Sequence, residues 1–100
     1  MLRYILALAL LMALPALADD LVMRERDQAI RLHDKPCHSL AVAALVPEQY
    51  RAALRAMTAI LNGQSFEGCW IAVGNAAYLI YDDGDQGAAR LADFKVERSI

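Results

Sequence analysis

The chain has little of what a small enzyme, a nucleic-acid binder or a membrane anchor uses. It holds two Cys, two His, one Trp and three Pro, and its longest run of aliphatic residues and Met is the ten from Ile5 to Leu14. A helix that crosses a bilayer needs about 20 apolar residues, so no stable membrane span is expected. Lys and Arg total 10 against 12 Asp and Glu without a basic cluster, which makes nucleic acid an unexpected partner. Ser39 and Ser65 lack the G-x-S-x-G context of an activated nucleophile. An activity-bearing motif is not in view, and the expectation is a non-enzyme without a cofactor.

What is present begins with an export signal. Arg3 supplies a positive start, Ile5 to Leu14 an apolar stretch, Pro15 a break and Ala16-Leu17-Ala18 a small-residue cleavage site. Residues 1–18 are therefore expected to be a cleaved signal peptide, and residues 19–100 a single small domain in the periplasm or outside the cell. Arg3 is the one charged residue of the leader, so its loss takes the formal net charge from −2 to −3. A domain this small is marginal without a staple. In an oxidising compartment Cys37 and Cys69 are expected to supply one as a disulfide. The loop it closes makes the bridge worth about 3.7 kcal/mol in the chain-entropy account.

Along the domain, residues 21–24 and 29–33 partly alternate apolar and polar side chains, as half-buried strands do, with a turn at Asp27-Gln28. Asp34-Lys35-Pro36-Cys37 reads as a turn. Ser39 is a suitable N-cap for a short helix over residues 40–45, and Pro47-Glu48 suits the start of a second. Residues 47–61 allow two readings. Tyr50, Leu54, Met57 and Leu61 form a helical stripe, yet Asn62-Gly63 is a strong hairpin turn. One helix over the whole segment competes with a helix over 47–54 followed by a strand over 56–61.

The stretch from Gly68 to Gly84 reads as a hairpin around Gly74-Asn75. With two-residue turns at both sites, Leu61 opposes Gln64, Ala59 opposes Phe66, Val73 opposes Ala76 and Trp70 opposes Leu79. Period two then collects Met57, Ala59, Leu61, Phe66, Trp70, Ala72, Ala77, Leu79 and Tyr81 on one apolar face. The other face is mixed and carries Glu67, Cys69, Ile71, Val73, Tyr78 and Ile80. There Cys69 can tie down the Cys37 segment as a partial cover. Leu91 and Phe94 are expected to anchor the C-terminal segment, with residues 95–100 ending on the surface.

The polar motifs have bland readings beside the chemical ones. Asp82-Asp83-Gly84-Asp85-Gln86-Gly87 is acidic, but it lacks the ligand spacing and the closing Glu of a calcium loop. His33, Cys37, His38 and Cys69 carry metal-ligand chemistry without a standard spacing, and a disulfide removes both thiolates. Cys37 beside His38 invites a thiol mechanism on the same condition. The candidate binding surface is accordingly Glu67, Tyr78, Asp82, Asp83 and Asp85.

Pro36-Cys37, Pro47-Glu48-Gln49-Tyr50-Arg51, Gly68-Cys69-Trp70 and Tyr81-Asp82-Asp83-Gly84-Asp85-Gln86-Gly87 resemble segments of a group of small, uncharacterised exported proteins of proteobacteria and their prophages. The resemblance covers most of residues 19–100. It implies a paired Cys, a β-hairpin core and a strand just before Asn62-Gly63, and it brings no activity. Ala88-Ala89 departs from the β-branched residue and Pro of that group, which leaves the last strand open. The sequence thus predicts an α+β domain: a small antiparallel meander of three strands with one or two short helices, stapled by Cys37–Cys69. Its expected role is a non-enzymatic binding or accessory module for a protein or envelope component. The competing role is a metal-binding or thiol-active protein using Cys37, His38 and Cys69.

Overall fold

The computed structural model describes residues 19–98, so the expected leader over 1–18 and the last two residues lie outside them. The elements are β1 (Asp19–Glu25), β2 (Gln28–Pro36), α1 (Leu40–Ala43), α2 (Glu48–Arg51), β3 (Arg55–Leu61), β4 (Gln64–Val73), β5 (Ala76–Tyr81), β6 (Gln86–Arg90), a 3-10 turn (Leu91–Asp93) and β7 (Lys95–Arg98). The strands form one antiparallel seven-stranded sheet in the order β6-β5-β4-β3-β2-β1-β7.

Local chemistry accounts for the central hairpins. Asn62 and Gly63 both adopt positive φ, 54° and 81°, the backbone that two-residue hairpins favour. The resulting pairs are Leu61–Gln64 and Ala59–Phe66 across β3–β4, and Val73–Ala76 and Trp70–Leu79 across β4–β5. The apolar face read from the sequence therefore points inward. Ile30, Leu32, Met57, Ala59, Ala77, Leu79 and Phe94 make its buried cluster, with Phe66, Trp70, Tyr81 and Leu91 packed against it.

The sheet is larger than the expected three-stranded meander. The chain around 28 extends it on one side, with its turn one residue earlier than Asp27-Gln28, where Arg26 has φ 55°. β6 extends it on the other side, although Gln86-Gly87-Ala88-Ala89-Arg90 contains no residue of high strand propensity. Residues 95–98, expected to end on the surface, expose Lys95 and Val96 there, but the segment is also an edge strand that pairs with β1 from Lys95–Val22 to Arg98–Asp19. That long-range pairing draws on a partner strand at the far end of the domain, which local periodicity does not reveal.

The position of β7 also sets the curvature. Six strand spacings in a flat sheet would separate β6 from β7 by about 29 Å, whereas the chain from Arg90 to Lys95 reaches at most about 18 Å. The sheet must curl to bring its two edges within that reach. Phe94, at the end of the 3-10 turn, enters the concave side and is buried there.

A second, smaller cluster sits on the convex face. Val42, Leu54, Cys69 and Ile80 are buried together, with Cys37, Val46 and Ile71 at the edge. The covering segment leaves the sheet after β2 and returns at β3. Its ends are pinned by a hydrogen bond from Cys37 N–H to Leu54 C=O of 3.1 Å and by the Cys37–Cys69 disulfide, with Cα atoms 5.6 Å apart. α1 starts at Ser39, whose hydroxyl accepts from Val42 N–H at 3.2 Å, and it is shorter than the expected 40–45. α2 likewise covers less than 47–54. The helix-then-strand reading of 47–61 holds and the single helix does not: Met57 lies under the sheet, while Tyr50 and Leu54 belong to the cover.

Candidate functional site

Between this cover and the convex face of β4–β5 lies an open apolar groove of about 400 Å³. Pro47 and Tyr50 form one wall, Ile71, Val73 and Tyr78 the other, and Leu54 and Ile80 close the base. No lining side chain carries a formal charge. Val73 is 61% exposed, Tyr50 50% and Tyr78 37%, so water meets three large apolar surfaces at one place. Such a concentration marks interaction sites far more than isolated exposed side chains do. The Tyr78 hydroxyl donates to the Gln86 side-chain carbonyl, which ties the ring to β6 on the side of β5 away from β4.

The residues chosen from sequence divide into two places. Tyr78 lines the groove, whereas Glu67 and the acidic turn stand toward the other end of β4 and β5. Tyr78 and Asp82 are about 13 Å apart along the chain at strand rise. In the turn, Asp82 accepts a hydrogen bond from Ser39 Oγ at 2.7 Å and its N–H donates to Glu67 C=O at 3.0 Å. The Asp83 carboxylate accepts from Asp85 N–H at 2.9 Å, and Asp85 C=O accepts from Tyr81 N–H at 2.8 Å. These bonds build the turn and fasten it to α1. Burial raises the Tyr81 phenol above its usual range, and the charges of Asp83 and Asp85 push it further.

Cys37 and Cys69 are joined in the disulfide, and both sit in or against the second cluster. His38 is exposed beside them. Among the described residues no three His, Cys, Asp or Glu side chains are placed to share a metal ion.

A polar network that sequence reasoning missed lies on the convex face of β1, β2, β3 and β7. Asp20, only 3% exposed, accepts from Arg31 at 2.8 Å and contacts His33 Nδ1 at 3.3 Å. His33 Nε2 lies 3.0 Å from the Thr58 hydroxyl. Glu97 of β7 pairs with Arg24 and, at 3.1 Å, with Arg31. Asp20, His33 and Thr58 follow the order of a catalytic relay. Thr58 is mid-strand, however, paired with Arg31 on one side and Glu67 on the other. Its backbone N–H is committed to the sheet and cannot help form an oxyanion hole. The cluster joins strands.

The groove had one signal in the sequence: the mixed face holds Ile71, Val73, Tyr78 and Ile80, more apolar surface than a solvated face requires. Pro47 and Tyr50 could not be assigned to it without the path of the cover. No protein-family model, curated protein or solved structure matches the chain.

Proposed function

We propose that this protein is an exported, non-enzymatic binding module that holds an apolar segment of a protein or envelope partner in the groove between the cover and β4–β5. The observation that carries the reading is the coincidence of Tyr50, Val73 and Tyr78, all well exposed, around one uncharged groove. The partner's chemistry is constrained by the surroundings. An apolar or aromatic side chain suits the groove, and a basic flank extending about 13 Å along β5 suits Asp82, Asp83 and Asp85. The resemblance to small exported proteins of proteobacteria and prophages supports export alone, since it brings no activity. The disulfide fits an oxidising compartment, and cleavage after Ala18 would deliver the domain to the periplasm or beyond.

A photo-crosslinking residue placed at Val73 tests the reading in the cell envelope, with the same residue at Ile60 as control. Ile60 is exposed on the convex face outside the groove. The expected result is one saturable adduct from position 73 that is absent from position 60. Identical, non-saturable products from both positions would overturn it. Intact mass of the exported product checks the compartment: the leader should be missing, and reduction should add about 2 Da for the two thiol hydrogens.

A further inference from the structure

We propose that the free edge of β6 is a self-association site, at which two copies of the chain pair β6 with β6 in antiparallel register about Ala88. Among the described residues β6 has a neighbouring strand on one side only. Its pairing with β5 runs from Arg90–Ala76 to Gln86–Ile80 without a shift. The hydrogen bonds at the strand's two ends, Leu91 N–H to Asn75 C=O and Tyr81 N–H to Asp85 C=O, show that odd-numbered residues face β5. Alternation then turns the N–H and C=O groups of Gln86, Ala88 and Arg90 to the open side.

Natural sheets usually blunt such an edge with Lys, Pro, a bulge or a covering loop. Among the described residues β6 has no Lys, Pro or register shift, its outward residues Gln86, Ala88 and Arg90 are exposed, and Gly87, Ala88 and Ala89 are small enough for close approach. The strand is also self-complementary. Antiparallel pairing about Ala88 sets Ala88 against its copy and Gln86 against Arg90, so every outward backbone group finds a partner. Charge agrees with the same register. The turn carrying Asp83 and Asp85 precedes β6 and Arg90 ends it, so Arg90 of one copy, exposed and held at 3.3 Å by its own Asp93, approaches the acidic turn of the other and would exchange or share that partner. A parallel arrangement would instead bring the two acidic turns together. Association at this edge leaves both grooves uncovered on the convex side, since Tyr78 stands one strand inward.

Sedimentation velocity on the purified oxidised protein, from micromolar to millimolar concentration, should show a monomer–dimer equilibrium weakened by salt. Amide exchange over the same series should slow at Gln86, Ala88 and Arg90 and stay constant at Gly87 and Ala89, which already bond to β5. Ala88→Pro removes the central outward N–H and should weaken the dimer at least about tenfold. Arg90→Glu, which leaves the backbone intact, should weaken it too, and adding Asp83→Lys with Asp85→Lys should restore it. A chain that stays monomeric throughout overturns the proposal. So does a dimer without the alternating exchange pattern, or one indifferent to both Ala88→Pro and Arg90→Glu.

Discussion

Single residues set two constraints that composition does not show. Gly68 is buried in β4, and a Cβ there would stand 2.3 Å from Ile80 C=O and 2.9 Å from Tyr81 Cα. Those are backbone atoms of β5, so the strands would have to part. Gly68→Ala should therefore destabilise the domain by about 1–3 kcal/mol, the usual range for overpacking, read from the urea midpoint. Asp20 is the second case. Its buried carboxylate is held by Arg31 and lies beside His33. Arg31→Met should cost about 2 kcal/mol, below the cost of breaking a fully buried pair because Arg31 is partly exposed. Adding Asp20→Asn should recover part of that loss, and a double-mutant cycle in urea measures the coupling. Neither role was legible beforehand, because each depends on a neighbour distant in sequence: Gly68 on β5, and Asp20 on Arg31 and His33.

At the scale of elements, the reading held where turn geometry or capping chemistry sets the structure, and it failed at Asp34-Lys35-Pro36, which read as a turn but continues β2. Asn62-Gly63 and Gly74-Asn75 fix register by turn geometry, and the period of two then sorts Met57, Phe66, Trp70 and Leu79 to the core. Ser39 caps a helix as its side chain predicts. β6 and β7 were missed for different reasons: the first lacks strand-forming residues, and the second is held by β1 at long range. Glu97 contributes to that hold. Its hydrogen bond with Arg24 keeps its carboxyl below the ordinary value of 4.5, aided by the charges of Arg24 and Arg31 and opposed by desolvation. A lowered value means this stabilisation is full above pH 4.5 and is lost as pH falls through the folded-state value. The parent should be more stable than Glu97→Gln near neutral pH, and the two should converge on acidification. High salt should shrink the difference, since the pair is at the surface. Unfolding curves against pH for both proteins check the sign.

The whole molecule has two apolar layers on one sheet: a core inside the curl and a smaller cluster outside it. The disulfide belongs to the outer layer. Replacing Cys37 and Cys69 with Ala should cost about 3–4 kcal/mol by loop entropy, and it should free the cover more than the core. Amide exchange checks this, with Val42 and Leu54 losing more protection than Met57 and Ala59. The groove exists because the cover packs its Leu54 against Ile80 but leaves Val73 and Tyr78 open. Titration with a neutral apolar dye such as Nile red, followed by fluorescence, tests that surface most directly. The expected result is saturable one-to-one binding by the oxidised protein, weakened at least about tenfold by Val73→Asp and unchanged by Ile60→Asp. Binding that survives Val73→Asp, or that Ile60→Asp removes equally, would contradict the groove as the recognition surface.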